Sequence, residues 1–176
     1  MNTPYDKDTI KSYILHTHHF YHGNIKRIST GALKLAINEA DKFLRYICTQ
    51  LKYNNIDHFL RSSVLSVDMV ERLPLFMTSQ YLLYQDILVN TCFDENHLKH
   101  RIMRFMEKDD LEIEQDAYVA LLTMLHKRFD NMISIANSFR SLQKKNSLDT
   151  LSIRFSRAIV KYCLEETWDD ENIDDD

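Results

Sequence analysis

Between Gln115 and Leu142 the apolar residues Leu121, Leu122, Met124, Leu125, Phe129, Met132, Ile133, Ile135, Ala136 and Phe139 recur at helical spacing and share one broad face. No other stretch is as long or as apolar, and it predicts a central helix of about 110–143 with the other helices packed around it. Arg128 falls inside that face. An arginine there either extends its stem to the rim or pairs with a carboxylate from another helix. No acid stands three or four residues away, so the expected partner is Glu39, Glu71 or Asp86.

The rest of the chain repeats the helical pattern. Ile10, Tyr13, Ile14, Thr17, Phe20 and Tyr21 predict a first helix from about Asp6 or Asp8 to Gly23. Leu33, Ala36, Ile37, Ala40, Phe43, Leu44, Ile47, Cys48 and Leu51 form one stripe of a second, capped by Ser29 or Thr30 and running to about Tyr53, with Asp41 and Arg45 spaced as an ion pair. A short helix is expected from Asp57 to Ser66, then a turn near Asp68. After Pro74, Thr78 or Ser79 can cap a helix to Thr91, and Asp94 caps the next. Asp109 with Glu112 has capping-box spacing and is expected to start the run into the central helix. Asn146 or Ser147 caps the last helix, from Leu148 to about Glu166. That helix carries two apolar strips, Leu148, Leu151, Phe155, Ile159 and Tyr162 on one side and Ile153, Val160 and Leu164 nearly opposite.

Gly and Pro occur only twice each in 176 residues, too few for the turns of a β-rich fold. The expected fold is all-α: a single bundle of six or seven helices over 1–166 and a disordered acidic tail over 167–176. Three scattered cysteines exclude a disulfide framework, no apolar run is long enough for a membrane span, and MNTPYDKD lacks the order of a signal peptide. A cytoplasmic location is the corresponding expectation.

Charge is distributed unevenly. Every one of the 22 Lys and Arg residues lies at or before Lys161, whereas Glu165, Glu166, Asp169, Asp170, Glu171 and Asp174–Asp176 follow it. A mildly basic body carries an acidic tail. His97, Arg101, Arg104 and Lys108 line one side of their helix, and Arg154, Arg157 and Lys161 run between the strips of the last one.

Chemical signatures are sparse. There is no P-loop, GxGxxG, GxSxG, HExxH or EF-hand loop. His18, His19 and His22 have spacings that could reach one metal ion, without further ligands nearby. A hemerythrin-like di-iron bundle expects HxxxE and HxxxH pairs on successive helices, and only His18/His22 and His126/Asp130 come near that. His126 and Asp130 are expected on the polar edge of the central helix, without neighbours to complete an active site.

The leading expectation is a non-enzymatic binding protein without cofactor that blocks a partner, most concretely an inhibitor, immunity or antitoxin-like protein against a basic, nucleic-acid-handling enzyme. Trp168, Asp169, Asp170 and Glu171 would meet the partner, with Ile153, Val160 and Leu164 as apolar anchor. The alternative is a nucleic-acid or phosphate binder using His97, Arg101, Arg104, Lys108, Arg154, Arg157 and Lys161, with the tail as autoinhibitor. A histidine-based metal bundle is the third.

Overall fold

The structure is a computed structural model and describes residues 5–17, 25–73 and 87–163. The elements in chain order are α1 (Lys7–Thr17), β1 (Arg27–Ile28), α2 (Thr30–Asn54), α3 (Ile56–Arg61), β2 (Val64–Leu65), α4 (Val67–Glu71), α5 (Ile87–Asn90), α6 (Glu95–Met106), β3 (Glu112–Ile113), α7 (Gln115–Leu142), β4 (Ser147–Leu148) and α8 (Thr150–Cys163). Helix dominates, as the scarcity of Gly and Pro requires. No helix among the described residues is long and apolar enough to cross a membrane.

Local chemistry places the helix starts. The Ser29 hydroxyl accepts from the Ala32 amide at 3.1 Å, and Asp94 Oδ1 accepts from the His97 amide at 2.9 Å, so α2 and α6 begin where an N-cap satisfies an orphan donor. The nine apolar residues expected on the stripe of α2 are all buried. Two starts differ from the sequence reading. Glu112 does not open the central helix but pairs in β3, and α7 begins after Glu114 without a side-chain cap. Ser147 and Leu148 pair in β4, and the cap of α8 is Asp149, whose Oδ1 accepts from the Ser152 amide at 2.9 Å and its hydroxyl at 2.8 Å. The residue expected to turn the chain, Asp68, lies inside α4.

The four strands reveal an order that periodicity alone did not show. With the short α3 and α5 set aside, the series α1, β1, α2, β2, α4 is matched by α6, β3, α7, β4, α8: a helix, a two-residue strand, a long helix, a second strand and a closing helix. The first half differs by the extra turn of α3 between its long helix and second strand. Spacing is nearly constant, with β1 at 27–28 against β3 at 112–113 and β2 at 64–65 against β4 at 147–148. Pairing is parallel and crosses between halves, β1 with β4 and β2 with β3. Each bridge therefore clasps two helix N-termini, those of α2 and α8 at one end and of α4 and α7 at the other. The Ser29 amide donates to Leu148 O at 3.0 Å, and at the other end the Glu112 and Glu114 amides donate to Ser63 O at 2.7 Å and Leu65 O at 3.0 Å. At the first clasp a β-carbon on Gly31 would stand 3.1 Å from Thr150 Oγ1, so glycine lets the two helix starts approach this closely.

Helix α7 runs through the middle and packs on α2, α4, α5 and α8. It is buried without interruption from Ala117 to His126, wider than the face expected from the pattern, while Ile135 and Phe139 near its end are half-buried. Arg128 is buried, as its position on the apolar face implies, with its guanidinium 5.0 Å from the Phe43 ring centroid. Of the three acids considered for it, Asp86 lies outside the described residues, and buried Glu39 lines the same cavity of about 20 Å³, room for a single water. The Glu39 carboxylate accepts Arg157 Nε at 3.3 Å and Lys42 Nζ at 3.4 Å, so the buried acid is set among cations.

Candidate functional site

The pleat of the β1–β4 clasp sorts its side chains. Successive strand residues point to opposite sides, so Ile28 and Leu148 enter the core while Arg27 and its register partner Ser147 face outward. Lys26 and Arg27 are exposed, and across the bridge they meet the loop that ends α7. That loop closes through Lys144, which adopts a left-handed conformation (φ 54°), with the Lys144 and Lys145 amides donating to Ser141 O and Arg140 O. Buried Arg140 props it from beneath, donating to Lys145 O at 2.6 Å and to Asn137 Oδ1 at 2.8 Å. Between the two strands of chain lies a cleft of about 450 Å³ lined by Lys26, Arg27, Lys145, Asn146, Ser147 and Asp149.

Lys145 is spent on Asp149 at 2.7 Å, and that lysine is the main reason the Asp149 carboxyl is held down at about 2. Lys26, Arg27 and the exposed Lys144 remain as cations beside the paired starts of a 25-residue and a 14-residue helix, whose dipoles add positive potential although the Ala32 and Ser152 amides are taken by their caps. The opposite clasp has the reverse character, with Asp109, Asp110, Glu112, Glu114 and Asp116 all exposed around β3.

Helix α8 is turned the other way from the sequence expectation. Ile153 is 0% exposed and Val160 6%, so the proposed apolar anchor is core and packs beneath the surface. The outward strip is the other one: Leu151, Phe155 and Ile159 are 53%, 39% and 36% exposed. Phe155 stacks on Phe139 of α7 with centroids 4.1 Å apart, and Leu142, 83% exposed, continues the patch. The cause is the small polar pair on the Ile153 side: Ser152 and Ser156 are fully buried, and the Ser156 hydroxyl donates to Met132 O at 2.5 Å. Compact hydroxyls satisfied close by, Ser156 on the Met132 carbonyl and Ser152 on the Asp149 carboxylate, let α8 sit close to α7 on that side, while the bulky residues face out.

The basic stripe of α6 does not survive as a surface. Arg101 forms a fork on Asp41 of α2, Nε to Oδ1 at 2.9 Å and Nη2 to Oδ2 at 2.6 Å, with the Tyr5 hydroxyl also donating to Asp41 Oδ1 at 2.7 Å. Asp41 therefore serves Arg101 rather than Arg45. Lys108 donates to Ser62 O at 3.2 Å, and Arg157 is taken by Glu39. These three cations tie elements together and are not available to an outside anion. His97, Arg104 and Arg154 are exposed, but they no longer form a line with the others. The side chain of Lys161 lies outside the described residues.

His126 sits deeper than the polar edge. It is buried against Phe93, its Nε2 lies 2.9 Å from the Tyr13 hydroxyl and 3.3 Å from Asp130 Oδ2, and its Nδ1 lies 3.3 Å from Thr91 Oγ1. Tyr13 donates to Asp130 Oδ1 at 2.6 Å. Burial and that carboxylate raise the Tyr13 phenol, and burial pushes the Cys92 thiol up to about 12. A raised phenol and a raised thiol are poor nucleophiles, so the cluster reads as the polar dock by which α1 is pinned to the central helix. Cys48, fully buried, is likewise raised and inert.

His18, His19 and His22, Leu164, and Trp168, Asp169, Asp170 and Glu171 lie outside the described residues. Among the described residues no group of three or more His, Cys, Asp or Glu is arranged to hold a metal ion. No known protein family matches the chain, and no curated protein matches it.

Proposed function

We propose that this protein holds the phosphate backbone of duplex nucleic acid at the β1–β4 clasp. The observation that carries the reading is the outward pair Lys26 and Arg27 lining a cleft where two helix N-termini are brought together by a parallel bridge, with exposed Lys144 on the adjoining loop. Histone octamers hold duplex DNA by arginines inserted into the minor groove together with helix dipoles and main-chain amides set against the adjacent phosphates, without base-specific contacts. The two clasped halves of this chain are read as a histone-like pair written in one polypeptide. The site moves from the α6 and α8 stripes to the clasp, because the stripes spend Arg101, Lys108 and Arg157 internally. Binding of this kind positions without specifying sequence.

Fluorescence anisotropy of a labelled duplex across a salt series tests it. Each phosphate neutralised contributes about −0.9 to the slope of log K against log salt, so three cations predict a slope of roughly −2 to −3. Lys26→Glu with Arg27→Glu should abolish most binding and flatten the slope by about two. Affinity unchanged by that double reversal, or no binding at about 50 mM salt, would sink the proposal.

Occupation of a partner protein remains the second reading, and one observation favours it: the exposed strip Leu151, Phe155 and Ile159 with Leu142. Its anchor would be these residues in place of Ile153, Val160 and Leu164. Co-purification of a basic nuclease that is lost in Leu151→Glu would support an inhibitor; retention in that variant would refute it.

A further inference from the structure

We propose that copies of this chain associate head to tail, the β1–β4 end of one against the β2–β3 end of the next. The inference does not depend on nucleic-acid binding. Each long helix ends in exposed apolar residues, and these ends lie at opposite poles. At the first pole are Leu142 and Leu151, with Phe155 and Ile159 continuing the patch along α8. At the second, α2 and α3 leave Tyr53, Ile56 and Leu60 exposed, with Ile56 and Leu60 one helical turn apart. This second patch adjoins the β2–β3 clasp, since Lys52 Nζ reaches Glu107 at 2.7 Å and the Ser63 hydroxyl donates to Asp110 at 2.9 Å.

The rims decide which surface covers which. At the same end of the fold stand Lys26, Arg27 and Lys144 by the β1–β4 clasp and Arg154 on α8, all exposed, while the acid there, Asp149, is paired to Lys145. Around the second stand Asp57, Glu107, Asp109, Asp110, Glu112 and Glu114, also all exposed, outnumbering the exposed cations Arg61, Arg72 and Arg104 at that end. Two copies meeting first pole to first pole would set basic rim on basic rim, which costs affinity. First pole to second pole joins apolar centre to apolar centre and basic rim to acidic rim. Such a contact is heterologous: it leaves a free pole at each end and propagates unless it happens to close into a ring.

The test is sedimentation of the full chain, free of nucleic acid, over about a hundredfold range of concentration. The average mass should rise beyond that of two chains and fall again as salt screens the rims. Leu142→Glu and Leu60→Glu change one pole each at strongly exposed positions, so circular dichroism should report an unchanged fold, while self-association weakens by about tenfold or more. Mixed in equal amounts, the two variants should form a complex of two chains and nothing larger, because each retains one intact pole. A monomer at every concentration overturns the proposal. So does growth that stops at two chains in the unaltered protein, or a Leu60→Glu variant that assembles as before.

Discussion

The orientation of α8 can be tested by a pair of truncations two residues apart, on nearly opposite sides of the helix. Ile153 has no exposed surface and faces α7, whereas Leu151 is about half exposed. Ile153→Ala removes buried methyl and methylene groups and leaves a void, a change that typically costs about 2–5 kcal/mol. Taking about 3 kcal/mol and a shift of roughly 2–4 °C per kcal/mol for a chain of this length, the melting temperature should fall by about 6–12 °C. Leu151→Ala loses little burial and gains a good helix former, so its effect should stay within about 0.5 kcal/mol. Urea unfolding followed by circular dichroism separates the two, provided the m-value is unchanged. If Leu151→Ala costs as much as Ile153→Ala, the helix is rotated from the placement described and the exposed strip is not the surface it is taken to be.

Other predictions concern the polar contacts. Tyr13→Phe removes hydrogen bonds to Asp130 and His126 and should cost about 1–3 kcal/mol in urea unfolding, with a loss of protection from hydrogen exchange in α1. Arg101→Gln breaks the fork on Asp41 and should lower stability by roughly 1.5–3 kcal/mol while leaving duplex affinity within twofold, about what an internal tie predicts and a phosphate contact does not. Lys144→Gly relieves a left-handed side chain and should raise stability by about 1 kcal/mol, yet weaken duplex binding by removing a clasp cation. Because the folded Asp149 carboxyl lies near 2, below its unfolded value, its contribution is present above about pH 4 and lost as pH falls toward 2; Lys145→Ala should therefore move the acid-unfolding midpoint upward.

Much of the fold was legible because burial imposes a period. The stripe of α2, the caps at Ser29 and Asp94, and the end of α7 near Leu142 all follow from residues that act within a few positions of one another, whereas the start of α7 came five residues later than expected. What escaped depends on partners far away in sequence. A two-residue strand has too few positions to show alternation, and Glu112 looked like half of a capping box because its true partner, Val64, is on the other half. A signal was nonetheless present: Ile28-Ser29, Leu65-Ser66, Ile113-Glu114 and Leu148-Asp149 each put an apolar residue and a polar one directly before a helix. Four such junctions, two of them before the longest helices, spell the repeat. The site was less legible. Arg101 and Lys108 looked like a surface stripe since helical spacing shows which residues share a side and not which acid waits across the gap. On α8 two apolar strips of similar length gave no means to tell core from surface, and only the buried Ser152 and Ser156 mark the inner side.

The crossed bridges also bear on how the chain comes to be folded. During synthesis β1 emerges well before its partner β4, and β2 well before β3, so a ribosome exposes the apolar stripe of α2 for as long as it takes to make the second half. Neither half can close by itself, since every strand it owns is completed by the other. Contacts of such long sequence separation slow the search for the native state and tie its success to the last helix. A nascent chain stopped anywhere before Ser147 would lack the residue that joins the ends, and is expected to be a client for chaperones rather than a smaller working protein.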